Sequence, residues 1–209
     1  MISDRQRDIL YKTIRVYVET AEPVSSLHLA EEVASSPATI RHELSELTRL
    51  GLLTQPHISS GRVPTERGYR LLVNEVLLEE DGAEAVEPES NPFQMARRLA
   101  ELSSSLILSL FPKEELFVKE GWERLISEPE FASRESTLQL IEFLHDLELG
   151  LKRARADSFS VFIGEENPFS RVRSFSVITA SWRGGMVALV GPTRMEYERN
   201  IGLMKALMA

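Results

Sequence analysis

Arg41, His42, Ser45 and Arg49, with Ala38, recur at helical spacing opposite the stripe Ile40, Leu44 and Leu47 in SSPATIRHELSELTR, residues 35–49. A helix that only packs has little use for that second face, whereas a helix that enters a DNA groove needs one. Arg41 carries a guanidinium fork that matches guanine O6 and N7. Thr39 and Ser45, with the helix N-terminus behind Ser36, suit phosphate or base-edge contacts. His42 can donate one well-placed bond and so specifies less than an amide would. Arg62, after the Ser59-Ser60-Gly61 tip, is placed to enter a narrow minor groove. Arg67 and Arg70 either neutralise phosphate or pair with nearby acids. The expected DNA-contacting set is therefore Ser36, Ala38, Thr39, Arg41, His42, Ser45, Arg49, Ser60, Arg62 and Arg67.

The elements needed to present these residues can be read around them. Residues 4–20 show helical spacing of Ile9, Leu10, Ile14, Tyr17 and Val18 with Ser3 as N-cap. A second helix runs from Ser25 or Ser26 to Ala34. The third takes Ser36 as N-cap, Pro37 at its first position and Gly51 as its stop. Leu52–Gln55 and Val63–Pro64 read as short strands around a polar tip, and Thr65 to Leu78 as a fourth helix with Tyr69 in its core face. Helix, helix, helix, wing, helix is the order of a winged helix-turn-helix domain over residues 1–78.

A net charge of −8 spread evenly would oppose nucleic acid, but phosphates feel the local distribution. Residues 35–70 hold five Arg against three Glu, whereas 79–92 hold six acids and no base. That acidic stretch, EEDGAEAVEPESNP, has almost nothing apolar to bury and reads as a linker. Residues 93–209 then read as helices over 93–111, 114–127 and 134–155. Strands follow at 159–164, 173–182 and 186–191, the last two joined by a Gly184-Gly185 turn, and Thr193 caps a final helix to Met208. The expected class is α+β: a winged helix-turn-helix, an acidic linker, and a helical domain with a small three-stranded sheet. The rows Leu99, Leu102, Leu106, Leu110 and Leu140, Leu144, Leu147, Leu151 exceed what three strands can cover, which points to a homodimer.

Other chemistry is poorly represented. The chain has no cysteine, so thiolate nucleophiles and disulfides are excluded. The histidines at 28, 42, 57 and 145 show no metal-ligand spacing, and no metal or cofactor is expected. Glu165 and Glu166 beside Asn167 lack a nucleophile or phosphate cradle, so they read as a capping loop rather than a catalytic pair. Gly191-Pro192-Thr193-Arg194 reads as a strand end and helix start. No enzyme is expected. The first residues lack an apolar signal core and no run approaches a membrane span, which suits a cytoplasmic protein.

The stretch LAEEVASSPATIRHELSELTRLGLLTQPHISSGRVPTERGYR, with FIGEEN at 162–167 and SVITASW followed by VGPTRMEYERNI, resembles the heat-inducible transcription repressor family, HrcA. The resemblance implies a repressor of heat-shock chaperone genes, dimeric on an inverted-repeat operator, assisted by chaperonin GroEL. It also implies that residues 93–209 are the remnant of a GAF-like domain. Family members are over a hundred residues longer; the missing part is expected between the linker and residue 159, comprising the first GAF-like strands and much of an inserted dimerisation module. The turn between the second and third helices is about two residues short. Leu27-His28 stands where the family has Arg-Thr, and His42 where it has Asn. Two other readings stay open: a metabolite-sensing winged-helix regulator, and a winged-helix interaction module that never touches DNA.

Overall fold

The computed structural model describes residues 2–58, 60–78, 91–152 and 159–208. The chain divides after Leu78 into two compact units. In the first, helix α1 (Asp4–Thr20) opens with a capping box, in which Ser3 Oγ accepts from the Gln6 amide at 3.2 Å and Gln6 answers to the Ser3 amide at 3.1 Å. Ser25 caps α2 (Ser26–Glu32), and Ser36 caps α3 (Pro37–Arg49) with Pro37 in its first turn. After α3 the chain turns at Gly51, whose φ of 72° favours glycine. Strands β1 (Leu53–Thr54) and β2 (Val63–Pro64) pair antiparallel, and α4 (Glu66–Leu78) follows. Val24, ahead of α2, bridges Arg62 and adds a third line to this small sheet. Gly61 makes that approach possible, because a Cβ there would lie 2.4 Å from the Val24 carbonyl oxygen.

The core of this unit is Ile9, Leu10, Leu29, Ile40, Leu47, Leu53 and Val73, with Tyr69 also buried. Full burial of each such aliphatic side chain contributes about 1.5–3 kcal/mol. The stripe of α3 is thus consumed by packing, and its opposite side is left outward.

The second unit departs from the sequence expectation. Helix α5 (Pro92–Ser103), capped by Asn91, stops at Ser104, which adopts a left-handed φ of 51°. Residues 106–111 are then not helix but strand β3 (Leu106–Phe111), paired with β4 (Leu116–Glu120). Only a short helix, α6 (Trp122–Ile126), remains of the helix expected over 114–127. Helix α7 (Arg134–Leu151) matches the third expected helix; its continuation over 153–155 lies outside the described residues, as does the linker over 79–90. Strands β5 (Ser160–Ile163), β6 (Phe175–Trp182) and β7 (Gly185–Pro192) complete a five-stranded antiparallel sheet of order β4-β3-β7-β6-β5, not a three-stranded one. The β6–β7 turn is Arg183-Gly184, both with positive φ, while Gly185 already pairs with Trp182.

Helices cover both faces of this sheet. Leu106, Leu108, Leu110, Val177, Ala188 and Val190 meet Leu140, Phe143, Leu144, Leu147 and Leu151 of α7, with Phe143 and Phe131 against Phe175. Helix α5 and helix α8 (Tyr197–Ala206) pack from the other side. Both leucine rows are therefore largely internal, and they do not supply a spare surface for a second chain. Thr193 does not cap α8; its amide donates to Ser174 O at 3.3 Å, and the helix starts later, after Glu196. Glu166 does serve as a cap, accepting the Ile163 amide at 3.0 Å. Among the described residues no helix is long and apolar enough to cross a membrane.

Candidate nucleic-acid interface

Helix α3 and the wing face one another across an open cleft of about 480 Å³, lined by Val24, Ser25, Ser26, Arg41, Leu44, Ser45, Gln55, Ile58, Ser60, Gly61 and Arg62. Four of the expected contact residues, Arg41, Ser45, Ser60 and Arg62, come together here. Arg41 is exposed, and among the described residues its guanidinium has no hydrogen-bond or ion-pair partner. A fork held free on a helix face and aimed at solvent is what a phosphate or guanine edge requires. Ser45 Oγ donates back to Arg41 O at 2.8 Å, leaving its lone pairs outward.

The wing is built more tightly than its composition suggests. Arg62 exchanges backbone bonds with Val24 at 2.8 and 2.9 Å, and its Nε donates to Thr48 Oγ1 at 3.0 Å. It sits at the base of the wing and is half-buried, so it is not the free tip arginine expected from sequence. Ser60 is also committed: its Oγ accepts the His57 amide at 3.0 Å and donates to His57 O at 2.7 Å. Gln55 Nε2 donates to Ile58 O at 2.8 Å and to Ser60 O at 3.1 Å. Ser59 lies outside the described residues. Ser25, Ser26, Gln55 and Ile58 were not expected at the site; nothing local in the sequence marks them, because only the fold brings Val24 beside Arg62.

The remaining expected residues lie around the cleft or away from it. Ser36 and Thr39 are engaged in capping, with Ser36 Oγ accepting the Thr39 amide at 3.2 Å and the two hydroxyls 2.8 Å apart. Ala38 and His42 are exposed on α3. Arg49, in the last turn, grips Glu46 through Nε at 3.1 Å and a terminal nitrogen at 2.8 Å. That pair holds the Glu46 carboxyl below its ordinary range and the guanidinium above its own. Arg67 stands on α4 over Gly51, at the far end of α3 from Ser36. No cluster of acids and histidines suited to a metal occurs among the described residues.

Known proteins match both units. The family described as "Winged helix-turn-helix transcription repressor, HrcA DNA-binding" matches residues 1–77, and "HrcA protein C terminal domain" matches residues 70–201. The heat-inducible transcription repressor HrcA of Brevibacillus brevis is 24% identical over 327 aligned positions, covering 99% of this chain and 96% of that protein. That alignment is longer than the chain, so the relative carries a stretch with no counterpart here. Between the linker and residue 159 this chain does carry two strands, β3 and β4, where the sequence predicts only helices. The HrcA of Synechococcus sp. (strain JA-2-3B'a(2-13)) is 51% identical over 78 residues, 36% of this chain and 20% of that protein. A solved structure described as a hypothetical protein at 2.2 Å resolution shares the fold, with a TM-score of 0.83 at 20% identity over 100% of this chain and 97% of that one. The two family matches together take in nearly the whole chain, and the chain belongs to the HrcA family of winged-helix transcription repressors.

Proposed function

We propose that this chain is a DNA-binding repressor that occupies an inverted-repeat operator as a homodimer and blocks transcription of chaperone genes. The observation that carries DNA binding is the cleft between α3 and the wing, where the unpaired guanidinium of Arg41 faces outward beside Ser45. A duplex laid there puts α3 in the major groove, with the wing beside the adjoining backbone. Residues 1–78 supply the contact, 79–92 a linker, and 93–209 dimerisation and regulation. A GAF-like assignment for the last is supported by its five-stranded sheet with helices on both faces. The outward face of α7, with Leu138 55% and Ile141 59% exposed, supports a second copy docking there. Two recognition helices about 34–36 Å apart would then read one half-site each. Family membership supports chaperonin GroEL as a partner, and a repressor must share the cytoplasm with its operator.

The test is titration of the whole chain against a random duplex pool at several salt concentrations. Binding whose logarithm falls linearly with the logarithm of salt supports the reading. No binding at about 50 mM salt, where phosphate contacts are strong, overturns it.

A further inference from the structure

Ile58 is fully exposed at the tip of the wing, at 100% of its possible surface. A single exposed aliphatic residue is ordinary, but this one is held in place. Its carbonyl accepts from Gln55 Nε2 at 2.8 Å, and the next described residue, Ser60, is locked to His57 by two short bonds. Ile58 also lines the cleft that holds Arg41 and Ser45. A duplex seated in this cleft against α3 is brought close to Ile58. Arg62 is instead tied at the base of the wing, its backbone bridged to Val24 and its Nε bonded to Thr48.

We propose that Ile58 is the wing's minor-groove contact, an apolar side chain seated between the sugar edges that selects A·T pairs beside the bases read by α3. The minor groove is about 6 Å wide, and its floor over A·T carries only flat acceptors, whereas guanine adds a protruding N2 amine. A branched aliphatic group fits the first floor and collides with the second. Apolar side chains of this kind are used by minor-groove proteins, and the contact buries a group that is otherwise wholly in water. The inference rests on the DNA-binding reading and adds a specificity residue to it.

The test uses the whole chain and duplexes it recovers from a random pool. Ile58→Ala leaves the melting temperature unchanged and weakens binding about ten- to fiftyfold, the upper figure being that for full burial of the three carbons removed. The salt slope stays the same because no phosphate contact is lost. For the wild type, replacing A·T by G·C in the wing-contacted segment costs a similar factor, and inosine·cytosine, which lacks the N2 amine, restores it. For Ile58→Ala neither replacement matters. An Ile58→Ala chain that binds like wild type, or that keeps the G·C penalty, overturns the contact and leaves DNA binding standing. A wild type that recovers no duplex overturns the repressor reading and this contact with it.

Discussion

Arg62 Nε donates to the Thr48 hydroxyl at 3.0 Å, so the side chain that sequence would send into a groove instead ties the wing to the recognition helix. Thr48 in turn donates to Leu44 O at 2.7 Å, and the Arg62 backbone is paired with Val24. Helix α3, the wing and the chain before α2 are thus set relative to one another before DNA arrives, which lowers the ordering cost of binding. Thr48→Val keeps the shape and removes the acceptor. Its DNA affinity should fall about three- to tenfold, the scale of one hydrogen bond, with an unaltered salt slope. Wing amides should exchange faster with solvent. Unchanged affinity together with unchanged exchange would show that the bond does not organise the wing.

Arg41 lies exposed in the cleft, so its replacement should cost binding without costing fold. Arg41→Ala is expected to lose about 1–3 kcal/mol on the preferred duplex and to relax preference at one base position. Arg49→Ala removes a guanidinium already paired with Glu46 at the other end of α3, and should stay within about twofold. Competition assays with single-base variants of the duplex separate the two. A uniform loss across all variants for Arg41→Ala would move it from a base to a phosphate.

The first unit was legible because its signals are local. Ser3 with Gln6, Ser36-Pro37 and Gly51 mark helix ends through bonds only a few residues long, and the stripe Ile40, Leu44, Leu47 repeats at the helical period. The second unit was misread where the deciding partner is distant. Strand β3 is buried on both faces, so LILSLF shows no alternation, and its Leu106 and Leu110 continue the helical spacing of Leu99 and Leu102 by coincidence. What makes it a strand is pairing with Met186–Val190, far along the chain. The same limit applied at the site. The arginines could be listed from sequence, but Arg62 acquires its role from Thr48 and Val24, which only the fold brings to it.

Ser36 allows capping and DNA contact to be separated. Its hydroxyl accepts the Thr39 amide, so Ser36→Ala should lower stability in urea unfolding by about 1 kcal/mol. Ser36→Asp retains a cap acceptor and suits the helix N-terminus, so stability is kept. The added negative charge beside the duplex should nevertheless weaken binding, most at low salt, and so make its dependence on salt shallower. If Ser36→Asp bound DNA like wild type, the first turn of α3 would not approach phosphate.

Arg194 is buried at 8% exposure and held by Glu130 at 2.7 Å and 3.1 Å and by Glu128 at 2.5 Å. Burial alone would pull its pKa down; the two carboxylates outweigh that and raise it above the ordinary arginine value. Arg194→Ala removes the common partner of two carboxylates that are themselves 30% and 33% exposed. The expected loss is about 1–3 kcal/mol in the unfolding transition of the second unit, below that of a fully buried pair because solvent reaches both acids. Arg194→Met combined with Glu128→Gln and Glu130→Gln should recover most of it, since no charge is then stranded. Failure of the triple variant to recover would assign the loss to packing rather than to charge.

Glu148 joins α7 to the edge strand β4, accepting from Lys119 at 2.9 Å and from Lys152 at 2.9 Å. The hydrogen bonds from Lys119 and then Lys152 hold its carboxyl below the ordinary value of 4.5. A carboxylate with a lower pKa in the folded state binds protons more readily when unfolded. Its stabilisation is therefore complete above the unfolded value and is lost as pH falls through the lowered one. These side chains are partly exposed, so solvent screening keeps the effect to about 1 kcal/mol or less. Glu148→Gln should accordingly be slightly less stable than wild type at pH 7, with the two stability curves converging as pH falls below 4.5, and urea midpoints measured across that range would show it. Curves that stay parallel down to the acid limit would mean that Glu148 contributes through packing, because a charge contribution must disappear once the carboxyl is protonated in both states.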